Sequence, residues 1–276
     1  MRLLQWNIQW CRGVDGVVDP ARTARVAREL CDPDICCFQE VAVNFPALAG
    51  SSGEDQAALL AAAFPGYEAH FAWGVDAPDG RGGRSRFGQM ILSRLPVRQV
   101  LRHSLPWPAH DAVPSMPRVA LEAVIEAPWG ALRVATTHLE YYSDVQRDAQ
   151  VARLCEIEAE ARAHATARPS GRYDSGPFKP FARPPASILT GDFNMRPDDL
   201  AMARLRQCWR DAWSIAHPAE PQPATFGVFD AAFASEPYCC DFVLVSEELA
   251  PRVAAARVDA ECDASDHQPV AVEFRS

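Results

Sequence analysis

A carboxylate and an amide stand two residues apart in Leu189-Thr190-Gly191-Asp192-Phe193-Asn194, where an apolar run stops at two small residues. Side chains two apart on an extended chain face the same way, so Asp192 and Asn194 can enter one cavity together. The same residues equally fit a strand end closed by an Asx turn. Ser265-Asp266-His267 puts an acid and an imidazole just ahead of the last apolar run, as a surface turn would also do. Glu40 closes the run Ile35–Phe38, His138 closes the run from Ala131, and Asp241 opens Phe242–Val245. Each of these three is also readable as a solvated or internally satisfied polar residue at a strand end. Asn7 lies inside the apolar N-terminal run, where an unpartnered buried amide would cost roughly 1–3 kcal/mol, so something must be bonded to it. Groups of this kind handle protons and bind hard cations wherever they converge.

The elements that must carry them are mostly strands. Short β-type runs recur at Leu3–Ile8, Ile35–Gln39, Tyr67–Trp73, Gln89–Ser93, Val97–His103, Val119–Glu126, Ala131–His138, Ser187–Asp192, Asp241–Val245, Val253–Val258 and Pro269–Phe274. Helical periods are clearest at Pro20–Leu30, Glu54–Phe64 and Asp144 to about Ala165, the last behind a capping Ser143. Several strands are joined directly by turns such as Ser93-Arg94-Leu95-Pro96, so the chain does not alternate strictly between strand and helix. Two packed sheets flanked by helices suit that order. The segments Asp76–Arg86, rich in Gly and Arg, and Arg168–Pro185, rich in Pro, read as long loops that are either solvated connections or lids.

Composition narrows the class. With 276 residues, 48% hydrophobic and 23% charged, the chain suits an ordinary globular enzyme and is long enough for one large domain, taken as residues 1–276. A formal charge of −9 argues against coating long nucleic acid by phosphate neutralisation alone. The nine cysteines include two adjacent pairs and no Cys-x-x-Cys, which fits neither a disulfide framework nor a zinc knuckle, and they read as small buried hydrophobes. Polar residues interrupt Met1–Ile8 where a secretory leader needs an apolar stretch, and no run approaches a membrane span. The expectation is a cytoplasmic monomer without a stable membrane anchor.

Taken in order, Trp6–Trp10 (W-N-I-Q-W), Phe38–Val41 (F-Q-E-V), Gly88–Arg94 (G-Q-M-I-L-S-R), Thr137–Glu140 (T-H-L-E), Gly191–Asn194 (G-D-F-N), Asp241–Ser246 (D-F-V-L-V-S) and Ser265–His267 (S-D-H) resemble the endonuclease/exonuclease/phosphatase, or DNase I-like, superfamily over essentially the whole chain. The resemblance implies an α/β fold, a four-layered α/β/β/α sandwich of two mainly antiparallel sheets flanked by helices. It also implies a hydrolase that cleaves phosphoesters with Mg²⁺ or Mn²⁺, one ion or two. Glu40 matches the principal metal ligand, with Asn7 and Asp266 beside or behind it. Asp192 matches the residue that orients or deprotonates the attacking water, and Asn194 helps to place that water. His267 matches the donor to a phosphoryl oxygen, Asp241 the carboxylate that fixes its tautomer, and His138 a second donor.

Which phosphoester is cleaved is a finer question. T-H-L-E followed by Ser143, Arg147 and Gln150, with Pro114-Ser115-Met116-Pro117-Arg118 before a strand, is nearest to tyrosyl-DNA phosphodiesterases and related bacterial metal-dependent hydrolases. That likeness implies a phosphodiesterase, with DNA or RNA ends as partners. Arg118, Tyr142 and Phe226 are the expected substrate contacts. Arg118 could reach a phosphate or merely cap a strand with its head in water. Trp73, Trp107, Phe226 and Phe229 could stack a base or an aromatic leaving group, or could be core. Cys239-Cys240 precede Asp241 where many relatives carry a basic residue, which counts against tight DNA-backbone contacts. The alternatives are a phosphatase or phospholipase C-type enzyme on a small or lipid phosphoester, and a catalytically silent phosphate-ligand or protein-binding relative. A cysteine-based redox or zinc protein would need clustered thiolates.

Overall fold

Leu3, Gln5 and Asn7 point one way from the first strand, and Leu4 and Trp6 point the other. This period of two, repeated strand after strand, sorts the side chains into layers. The computed structural model describes residues 1–168, 175–229 and 236–276. Along the chain lie β1 (Arg2–Asn7), α1 (Pro20–Cys31), β2 (Ile35–Val43), α2 (Gln56–Ala63), β3 (Glu68–Pro78), β4 (Arg84–Ser93), β5 (Val97–Ser104), β6 (Val119–Ala127) and β7 (Gly130–His138). There follow α3 (Asp144–Thr166), β8 (Ser187–Asp192), α4 (Leu200–Leu205), β9 (Arg210–Asp211), α5 (Ala212–Ala216), β10 (Asp241–Val245), β11 (Val253–Val258) and β12 (Val270–Phe274).

The strands form two six-stranded sheets, ordered β11-β12-β1-β2-β4-β3 and β5-β6-β7-β8-β10-β9. Each is antiparallel except for one central parallel pair, β1 with β2 and β7 with β8. The faces that meet are apolar: Leu3, Ile35 and Ile91 from one sheet pack with Leu121, Val134, Ile188 and Val243 from the other. On the outer face of the first sheet Leu4, Trp6, Cys36 and Phe38 pack with Ala24 and Ala27 of α1 and Leu60 of α2. On the outer face of the second, Leu189, Phe242 and Leu244 pack with Val151 and Leu154 of α3 and Met202 of α4. The order is therefore helix, sheet, sheet, helix, the sandwich expected. Helix starts follow their caps: Asp19 accepts from the N–H groups of Ala21 and Arg22 at 3.0 Å, and Ser143 from Gln146 at 3.2 Å. All nine cysteines are free and seven are buried, which is the role composition assigned them.

One expectation needs correction. Asp76–Arg86 is not a loop but the end of a β-ribbon, because β3 runs to Pro78 and β4 starts at Arg84. The Asp76–Arg84 ion pair at 2.6 Å and the Arg86 guanidinium over the Trp73 ring favour that pairing. Arg168–Pro185 follows the solvated-connection reading rather than the lid reading, since it joins the end of α3 to the start of β8. The 23 residues of α3 carry the chain roughly 35 Å from the rim where His138 lies. Its residues 169–174, with Arg172, lie outside the described residues. The short β9, α4 and α5, of two, six and five residues, were not anticipated, being too brief to show a period.

Gly191 permits the close approach of β7 and β8. A Cβ there would stand 2.0 Å from the carbonyl oxygen of Thr137, its partner in register. Gly191→Ala is therefore expected to destabilise the fold by about 1–3 kcal/mol through forced separation of the central strands. Chemical denaturation measures this, and an unchanged midpoint would show that the strands can part without cost.

Candidate active site

The parallel pairs decide where the polar residues collect, since β1, β2, β7 and β8 all end at one rim while β10 and the loop before β12 begin there. Two residues below that rim the interior has already turned polar. Gln39 donates to Gln5 at 2.9 Å and to Thr136 at 2.7 Å, and Thr190 donates to Gln5 at 3.0 Å. One further step of two along β1, β7 and β8 gives Asn7, His138 and Asp192. On β2 a bulge between Phe38 and Val41 interrupts the step, and Glu40 takes a left-handed backbone with φ of 59°. That bulge turns Glu40 into the cavity and lets the strand continue to Val43, so Glu40 does not end its strand as the apolar run suggested.

The expected residues converge. Asn7 Nδ2 donates to Asp192 Oδ2 at 2.9 Å and to Glu40 Oε1 at 3.1 Å, supplying the partners that its burial required. Asp192 Oδ2 also lies 3.4 Å from His138 Nε2 and 3.6 Å from His267 Nε2, and its Oδ1 accepts from Asn194 N at 3.0 Å. Behind His267, Asp241 Oδ2 faces Nδ1 at 2.9 Å, while Gln5 Nε2 donates to Asp241 Oδ1 at 3.2 Å. Phe226 packs on the His267 ring, centroids 4.6 Å apart. Asn194, whose backbone is also left-handed at φ 51°, donates from Nδ2 to Leu139 O and to His138 Nε2, both at 2.9 Å. His138 therefore accepts at Nε2 and carries its proton on Nδ1, a buried nitrogen with no hydrogen bond, 3.8 Å from Glu40 Oε1. The amide of Asn194 holds an imidazole rather than standing free.

Electrostatics separate the two imidazoles. Burial would lower His267, but the carboxylates of Asp241 and Asp192 outweigh it and raise the ring well above its ordinary value. Burial, reinforced by Arg118, pulls His138 down to about 3, so it is neutral. Burial and the neighbouring Asp266 push Glu40 up to about 7. Burial raises Asp266 as well, with Asp192 adding to it.

Glu40, His138, Asp192, Asn194, Asp266 and His267 line a cleft of about 370 Å³. Arg118, Tyr142 and Phe226 line it, as expected of substrate contacts, and Arg118 is buried rather than capped by water. Trp73, Trp107 and Phe229 do not line it. One wall, unsignalled in the sequence, is apolar: Trp10, Phe45, Leu48, Val75, Phe87 and Met116. Gln9 was legible only as part of W-N-I-Q-W; its Nε2 donates to Asp266 Oδ2 at 2.6 Å and its Oε1 is buried without a partner.

That orphan amide oxygen, together with two crowded carboxylates at Glu40 and Asp266, suits a hard divalent cation that takes oxygen ligands. A second cluster, Asp192, Cys240, Asp241 and His267, brings ligand atoms within 4.8 Å of one another. It suits a metal less well, because His267 and Asp241 already bind each other and burial keeps the Cys240 thiol protonated.

A family model described as "Endonuclease/Exonuclease/phosphatase family" matches residues 4–267. Among solved structures, an endonuclease/exonuclease/phosphatase from Beutenbergia cavernae is 25% identical with a TM-score of 0.67, over 100% of this chain and 71% of that one. The mannosyl-6-phosphatase Bt3783 of Bacteroides thetaiotaomicron is 16% identical with a TM-score of 0.66, over all of both chains. Truncated Caenorhabditis elegans TDP2 is 17% identical with a TM-score of 0.64, over 100% of this chain and 97% of that one. No curated protein matches the sequence.

Proposed function

The chain belongs to the endonuclease/exonuclease/phosphatase family of phosphoester hydrolases, and from that membership we propose that it cleaves a phosphodiester by in-line attack of water with the help of Mg²⁺ or Mn²⁺. The observation that carries this reading is Asp192, set at the cleft floor between Asn7, His138 and His267. Asp192 takes the proton of the attacking water or orients it. Protonated His267, held by Asp241, donates to a non-bridging phosphoryl oxygen, and neutral His138 offers its free Nδ1–H as a second donor. Glu40 and Asp266, with Asn7 and Gln9 beside them, would hold the cation. Bound there, it would supply Lewis-acid stabilisation of the charge that spreads over phosphorus-bound oxygens. Residues 1–276 would act as one cytoplasmic, monomeric domain; among the described residues no helix is long and apolar enough to cross a membrane.

The cleft wall favours a second reading of the substrate. Arg118 is the one lysine or arginine among the described residues that line the cleft, and much of the remaining lining is apolar. A small or lipid phosphoester suits that lining better than a polyanion, which wants a row of cations. A magnesium-dependent panel of 5′-tyrosyl DNA, abasic duplex, single strands, inositol phosphates and sphingomyelin, with Asp192→Ala as control, separates the two. Hydrolysis of none of them with metal bound would favour a silent phosphate-binding relative.

Protons should compete with the cation at Glu40. Because that carboxyl is pushed up to about 7, it is mostly protonated below neutrality and must release its proton to become a ligand. Affinity for Mg²⁺, measured by calorimetry, is expected to weaken roughly tenfold from pH 8 to pH 6. An affinity flat across that range would remove Glu40 from the ligand set.

A further inference from the structure

Glu140 lies two residues beyond His138, wholly buried, and both of its carboxylate oxygens are occupied. Oε1 accepts from the backbone N–H groups of Tyr141 at 2.9 Å and Tyr142 at 3.0 Å. Oε2 takes the Nε–H of Arg118 at 3.3 Å. The turn itself is clamped from α3: Gln150 Oε1 accepts from Glu140 N at 2.9 Å, and Arg147 Nη1 donates to Glu140 O at 2.9 Å. With Oε1 committed to the backbone, Glu140 cannot swing to form the two-pronged fork that arginine and carboxylate ordinarily prefer. The guanidinium is held from one edge only. Its Nη1 is buried with no partner, and Arg118 lines the same cleft as His138 and Asp192. A buried guanidinium N–H without an acceptor is costly, and the acceptor that fits at this place is an anion entering the cleft.

Resting on the hydrolase reading above, we propose that Glu140 is a positioning residue, fixing Arg118 with Nη1 aimed at a phosphoryl oxygen of the substrate while folding the Tyr141–Tyr142 turn that forms the adjoining rim. One carboxylate thereby sets both the charge that grips the phosphate and the aromatic edge beside it. Glu140→Gln can still accept from the turn through its amide oxygen, but it turns an N–H₂ toward Arg118 and releases the guanidinium. Arg118→Ala removes the guanidinium itself. If Glu140 acts through Arg118, the two losses are one loss.

A double-mutant cycle tests this, read on hydrolysis of bis(p-nitrophenyl) phosphate with Mg²⁺ and, separately, on calorimetric binding of inorganic phosphate to the Mg²⁺-loaded protein. Each single variant is expected to raise KM and the phosphate Kd about tenfold or more. The double variant should be no worse than Arg118→Ala, with the Mg²⁺ midpoint unmoved. Multiplying effects, or a Glu140→Gln variant with the wild-type KM and phosphate Kd, would overturn the proposal; a purely structural Glu140 would lower the melting temperature and the folded fraction without moving KM. Should Glu140→Gln not fold, Glu140→Asp, which withdraws the charge by one methylene, runs the same cycle with the same outcomes. A wild-type protein that hydrolyses no phosphoester yet shows the coupled phosphate cycle would overturn the hydrolase reading and leave the Glu140–Arg118 pair standing.

Discussion

Asp192→Asn is expected to lower kcat by about 10²–10⁴-fold, the range for a positioned acid–base group, and to leave the fold and the affinity for Mg²⁺ largely intact. The reason is its location. Oδ2 accepts from Asn7 Nδ2 and faces His267 Nε2 at 3.6 Å, and Oδ1 is fixed by the backbone of Asn194. An amide keeps the volume and can still accept from Asn194, but it cannot take a proton from water, and its N–H₂ confronts that of Asn7. The loss should therefore fall on kcat rather than on substrate KM. Single-turnover kinetics under saturating Mg²⁺, with circular dichroism on the same sample, separate a chemical defect from a folding one. A variant retaining more than a tenth of wild-type kcat would assign the water-activating role elsewhere.

Asp241→Asn should produce the second large effect, and its signature is a change in pH dependence. In the wild type the Asp241 and Asp192 carboxylates raise His267 well above its ordinary value against the pull of burial, so the ring stays protonated through neutrality. Removing the Asp241 charge leaves Nδ1 with a neutral acceptor and lets burial act with less opposition. His267 should then lose its proton near or below the ordinary value of about 6.5. The expected result is a kcat lower by about 10²-fold or more at pH 8 and a smaller deficit at pH 6. Stability follows the same sign. A histidine raised on folding contributes fully below its unfolded value, near 6.5, and loses that contribution as pH climbs through the raised value. The stability gap between wild type and variant should accordingly narrow as pH rises. Identical alkaline limbs in the two pH–rate profiles would mean that His267 does not act as a cation.

Much of this was written in the chain. The apolar run around Asn7 and the match of Asp192 to the end of another gave strands that carry chemistry, and the two-residue spacing of Asp192 and Asn194 is a local property of an extended backbone. The ordered motifs from W-N-I-Q-W to S-D-H marked eight residues that the fold brought together, six lining one cleft and Asn7 and Asp241 bonded to them from behind. Caps at Asp19 and Ser143 fixed helix starts for the same local reason.

Other features had no local signal. The bulge that aims Glu40 depends on how β2 pairs with β4, and pairing partners are far apart in the chain. The apolar wall is assembled from the ribbon of β3 and β4, a loop at Phe45 and Leu48, and Met116, none of which announces a common destination in its own neighbourhood. Asp76–Arg86 read as a loop because glycine is a poor strand former, and cross-strand ion pairing within the ribbon overrode that preference. The sequence by itself determined which groups are available and which strand ends carry them, since those follow from covalent order and backbone period. Only the tertiary structure decided that His138 is neutral and His267 charged, that Asn194 holds a ring, and that Glu140 grips Arg118 from one edge, because burial and through-space charge act between residues that the chain order keeps apart.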